Sequence, residues 1–123
     1  MKDYIGRLGR VMQIRKTYKE VNPELLFAEI KDFILRQGVS PGENKMETYT
    51  LPDESALFGT RATLTFNAKT GKEEKECLRV HIVCRVKGET KLMIDVDEKL
   101  FPAEQFAAFQ GDLDFIFGSY EAK

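Results

Sequence analysis

Histidine and cysteine are the scarce residues of this chain: one histidine and two cysteines in 123 positions. A lone His81 with Cys77 and Cys84 cannot assemble a usual zinc ligand set, so no metal is expected. On one strand the two cysteines stand seven residues apart, which is roughly 23 Å at about 3.3 Å per residue. That spacing excludes a disulfide within the strand. It also places the thiols on opposite faces, with Cys77 on the polar face and Cys84 as a small core residue. Long apolar runs are missing as well. No stretch approaches the roughly 20 residues that span a bilayer, and the N-terminus lacks the apolar core of a secretion signal. The cytoplasm is the expected location, and reduced thiols suit it.

Charge of one sign is not in excess. Lys and Arg total 19 against 20 for Asp and Glu, a net −1, so no overall basic field draws the chain to nucleic acid or membrane, and neither is an expected partner. The balance is uneven: residues 1–19 carry Lys2, Arg7, Arg10, Arg15, Lys16 and Lys19 against Asp3 alone. Solvated side chains near a terminus are the ordinary reading of such a cluster. Glycine-rich phosphate loops are absent too. Gly6 and Gly9, in Gly-Arg-Leu-Gly-Arg, have neither the spacing of a dinucleotide fingerprint nor a preceding strand, and no cofactor is implied. There is no internal repeat and no linker, and residues 1–123 fit one domain of ordinary size.

What is present is alternation. In Arg61–Ala68 the even positions Ala62, Leu64, Phe66 and Ala68 are apolar and the odd ones polar. Leu78, Val80, Ile82, Cys84 and Val86 repeat the split, as do Leu92, Ile94 and Val96. A period of two with one oily face marks antiparallel strands covered on a single side. Three-residue loops at Thr70–Lys72 and Gly88–Thr90 keep even residues opposite even ones. They set Leu64 against Leu78, Ala62 against Val80, Cys84 against Ile94 and Ile82 against Val96.

Helix signals flank this meander. Asn22 is a good N-cap, Pro23 suits the first helical position and Gly38 the stop, so a helix is expected to about Gln37, burying Leu26, Phe27, Ile30, Phe33 and Ile34. A strand over roughly Arg10–Val21, after a frayed or helical start, precedes it. A short strand near Lys45–Leu51 follows it, between breakers at Pro41, Gly42, Pro52 and Asp53. Pro102 opens a closing helix whose stripe is Phe106, Phe109, Leu113, Ile116, Phe117 and Tyr120. The sum is an α+β fold: an antiparallel meander sheet with one face covered by an N-terminal-half helix and a long C-terminal helix.

Two surfaces are candidates for chemistry. The expected register brings Arg61, His81 and Asp97 side by side on the polar face, an arrangement suited to anion recognition or acid–base work, for which a cross-strand charge ladder is the more ordinary explanation. On the far side of the closing helix stand Ala108, Gly111 and Phe115, where charged side chains are usual. Phe115 there needs cover, from a second protomer, from the N-terminal segment or from a bound apolar ligand, and Ala108 and Gly111 allow the close helix approach of a homodimer.

The order of a strand, then Val21-Asn22-Pro23-Glu24-Leu25-Leu26-Phe27, a meander and a long helix from Phe101-Pro102 resembles the START-like (SRPBCC, helix-grip) superfamily. In that family the curved sheet grips the last helix over a cavity for apolar ligands. The resemblance implies that Leu26, Ile30, Phe66, Val80, Ile94, Phe109 and Leu113 line such a cavity. The strand count here is about five where the family has seven, and Ser40–Leu51 leaves little room for its second small helix. Binding of an apolar small molecule or a protein partner, without catalysis, is the expected role.

Overall fold

The computed structural model describes residues 11–50, 58–84 and 89–122. The expected start before Val11, the turn at Pro52 and Asp53, and Gly88 lie outside them. The chain runs β1 (Val11–Lys19), α1 (Pro23–Leu35), β2 (Ser40–Thr50), β3 (Phe58–Thr70), β4 (Glu73–Cys84), β5 (Glu89–Asp97) and α2 (Ala103–Phe117). One 3-10 turn, Gly118–Tyr120, closes α2. The five strands form one antiparallel sheet in the order β1-β5-β4-β3-β2. β2 to β5 are a meander, and β1 comes round to pair with the last strand.

Parity governs the layers. Ala62, Leu64, Phe66, Leu78, Val80, Ile82, Leu92, Ile94 and Val96 are all buried, and they share one hydrophobic cluster with the inner residues of both helices. Burial of each large side chain stabilises by about 1.5–3 kcal/mol, so a one-residue slip of any central strand is prohibitive.

The helix ends follow their local signals. Asn22 Oδ1 accepts from Glu24 N at 2.7 Å, and Pro23 opens α1. The helix stops at Leu35, short of Gln37, because its last bonds tighten to the i to i+3 pattern at Gln37 N to Ile34 O and Gly38 N to Leu35 O. Gly38 then takes φ +89°. On α2 the buried residues are Phe106, Phe109, Leu113 and Phe117. Ile116 and Tyr120, expected in that stripe, are exposed. Leu113 and Phe117 already fill the inward positions, and the change to 3-10 winding after Phe117 turns Tyr120 away.

The register differs from the expected one. The first hairpin has a two-residue turn, Gly71-Lys72, with Thr70 opposite Glu73 and Gly71 at φ +66°, the place where such turns favour glycine. By itself that turn would set oily against polar. A bulge corrects it: Asn67 faces Glu76, Phe66 faces Leu78, and Cys77 between them has no partner. Leu64 therefore meets Val80 and Ala62 meets Ile82. In the second hairpin Cys84 meets Thr90 and Ile82 meets Leu92. Glu89 and Thr90 belong to β5, not to the loop.

β2 is also longer than expected. It begins at Ser40 because Pro41 sits on an edge strand, where its missing N–H disturbs no ladder. Gly42 and Glu43 form a second bulge, and Glu43 N donates to Thr65 Oγ1 at 2.6 Å.

Candidate functional site

On the polar face the register takes Asp97 away from the two residues expected beside it and leaves Arg61 and His81 as diagonal neighbours. Arg61 lies opposite Val83 on one side and Glu47 on the other, with its guanidinium 3.7 Å from Glu47 Oε1. His81 stands between Thr63 and Met93. Asp97 pairs with Val11, four residues along β5 from Met93, or about 13 Å. Its side chain accepts from Lys99 N at 3.0 Å, and its carbonyl accepts from Leu100 N and Phe101 N. Asp97 thus ends β5 and shapes the entry to α2. The wrong register comes from assigning the extra residue of the first hairpin to its turn and from centring the second hairpin two residues too late, so that each β5 partner is displaced by four.

What this face carries is a ladder. Arg15 Nε donates to Gln13 Oε1 at 2.9 Å, and Gln13 Nε2 donates to Asp95 Oδ1 at 2.7 Å. Arg79, the register partner of Asp95, donates twice to Glu76, at 2.9 and 3.0 Å. The Glu76 carboxylate holds the Arg79 guanidinium above its already high range. Such exposed pairs contribute about 0–1 kcal/mol each. Cys77, expected on this face, is buried in the core because both bulge residues turn inward, and burial pushes its thiol up to about 11. Cys84 is half-buried.

Beneath the helices, Leu26, Ile30, Phe66, Val80, Ile94, Phe109 and Leu113 are brought together: each is fully buried and all lie in one cluster. α1 packs on β3, β4 and α2, and Gln105 Nε2 on α2 donates to Gln37 O at 3.2 Å. On the outside of α2, Ala108 and Gly111 are exposed and Phe115 is 88 % exposed.

A fourth group was not singled out from the sequence. On β1 the residues facing the helices are Met12, Ile14, Lys16 and Tyr18, opposite Val96, Ile94, Leu92 and Thr90. Lys16, only 14 % exposed, bridges Asp114 at 3.7 Å and Glu121 at 3.4 Å. Tyr18 is completely buried, with its ring 6.0 Å from that of Phe117. Its hydroxyl has no hydrogen-bond partner, the one buried side-chain polar atom among the described residues in that condition. Burial first, then the charges of Glu121 and Asp114, raise its pKa. The neighbouring buried hydroxyl of Thr90 is satisfied, donating to Val21 O at 2.8 Å. The alternation of Met12, Ile14 and Tyr18 was the available signal, and Lys16 within it obscured the pattern.

Among the described residues no cluster of His, Cys, Asp and Glu is arranged to hold a metal ion. No helix among them is long and apolar enough to cross a membrane. Compared with protein-family models, curated proteins and solved structures, the chain matches none.

Proposed function

We propose that the chain is a non-catalytic binding module of START-like, helix-grip type. It holds a small apolar molecule between α2 and the sheet, among Leu26, Ile30, Phe66, Val80, Ile94, Phe109 and Leu113. What supports this reading is the strand order β1-β5-β4-β3-β2. Bringing the first strand beside the last lets one sheet face extend under the whole of α2, the arrangement by which helix-grip folds enclose a ligand. The five strands of the described residues, where the family has seven, fit a small occupant. A cytoplasmic location, in keeping with two free thiols, belongs to the same proposal. The test is titration with the neutral fluorophore N-phenylnaphthylamine, for which saturable binding to one site is expected. Val80→Phe fills space in a ligand-holding interior, so it blocks the probe and leaves the fold intact. In a solid interior the same change overpacks, destabilises by about 1–3 kcal/mol and has no probe binding to block.

A second reading, a homodimer through α2, is favoured by the exposure of Phe115 beside Ala108 and Gly111, which allow close helix approach. Sedimentation equilibrium decides it: a chain that stays monomeric at high concentration excludes the dimer.

A further inference from the structure

We propose that the Tyr18 hydroxyl is the polar anchor of this interior site, and that the ligand is a neutral molecule, apolar over most of its surface, with one hydrogen-bond acceptor such as a ketone carbonyl. The inference rests on the binding reading above and names the ligand class. A phenylalanine at position 18 would fill the same volume against Phe117 without taking a hydroxyl out of water, and a buried hydroxyl is retained at no cost only when something meets it. Thr90, the register neighbour, shows the contrast, since its own hydroxyl is already bonded to Val21 O. Tyr18 stands under the C-terminal turn of α2, where Phe117 and Leu113 continue the apolar cluster, so an acceptor meeting it belongs to a largely apolar molecule.

Charge narrows the class. Burial, reinforced by the charges of Glu121 and Asp114, keeps the Tyr18 hydroxyl protonated, so it offers a donor. The same carboxylates repel an anionic ligand. Lys16, the cation facing this corner, is held between them at 3.4 and 3.7 Å. A neutral acceptor is what remains.

Calorimetric titration of the full chain with naphthyl methyl ketone and with isopropylnaphthalene, which have nearly the same shape, tests the proposal. The ketone should bind roughly three- to tenfold tighter than the hydrocarbon, the worth of one net hydrogen bond. In Tyr18→Phe that preference should vanish, with the ketone binding no tighter than the hydrocarbon. Equal binding of the two by the wild type, or a ketone preference that survives in the variant, overturns the anchor but leaves the apolar site standing. Binding of neither removes both. Infrared spectroscopy of isotope-labelled ketone on the wild type needs no variant: a carbonyl stretch lowered from its value in alkane supports the hydrogen bond, and an unshifted one overturns it.

Discussion

Glu76 and Arg79 stand three residues apart on β4, a spacing that puts side chains on opposite faces of a regular strand, yet their charged groups meet at 2.9 and 3.0 Å. The unpaired Cys77 between them is the cause, because one extra residue turns Glu76 onto the face that Arg79 occupies. The bulge therefore settles a thiol in the core and an ion pair on the surface in a single step.

Deletion of Cys77 should accordingly be tolerated. Without it Phe66 still faces Leu78 and Asn67 still faces Glu76, now in unbroken alternation. The variant should unfold cooperatively in urea with a loss of about 1–3 kcal/mol for the missing buried side chain. Deletion of Thr63 reverses the parity of half of β3 and should abolish the cooperative transition. Equal damage from the two deletions would show that the bulge is not what sets the register.

At the second bulge, a Cβ on Gly42 would lie 2.5 Å from Thr65 Oγ1, the atom that accepts from Glu43 N. Gly42→Ala should destabilise by about 1–3 kcal/mol through overpacking. Thr65→Ala should do so by about 1–2 kcal/mol through the lost acceptor. Combined, they should fall short of the sum, since the second removes the atom the first collides with. Chemical denaturation of the three variants measures the coupling, and strict additivity would refute the contact.

Alkaline pH should loosen the fold from about pH 9 upward. Burial raises the Cys77 thiol from 9.0 to about 11, so between those values the folded chain holds a proton that the unfolded chain has released. Its contribution is complete below pH 9 and lost as pH rises through about 11, on the order of 3 kcal/mol in all. Tyr18 is raised as well and acts in the same direction at higher pH. Urea midpoints from pH 8 to 10 should fall for the wild type and flatten in Cys77→Ala, whose slope is the diagnostic.

Phe115→Ala should leave stability within about 0.5 kcal/mol, because an 88 % exposed ring buries little within its own chain. If α2 mediates a dimer, the same change should weaken self-association at least about tenfold, as loss of a central aromatic contact does. A monomer with unchanged thermal stability would confine Phe115 to the open surface.

The fold was legible where two independent signals agreed. Parity from Arg61 to Asp97 and the Asn22-Pro23 start of α1 combine patterning with local backbone chemistry, and both are present. Register was not legible. A turn of two residues with a bulge and a turn of three without one give the same inward faces, so the pattern cannot choose between them, and Arg61, His81 and Asp97 were grouped on the wrong choice. Pro41 and Gly42 read as breakers because their role depends on β2 being an edge strand, a fact of topology. Tyr18 and Lys16 escaped notice because the significance of each depends on α2 and the last residues of the chain, about a hundred positions away.

The hydrogen bond from Ala122 N to Thr17 O, at 2.7 Å, and the pairing of β1 with β5 tie the earliest described strand to the latest parts of the chain. On the ribosome β1 is therefore made long before any of its neighbours exist, and it must wait unpaired until β5 and α2 have left the exit tunnel. Pairings so distant in sequence fold slowly and expose sticky edges meanwhile. The corner that contains Tyr18 is consequently the last part of this sheet to close during translation.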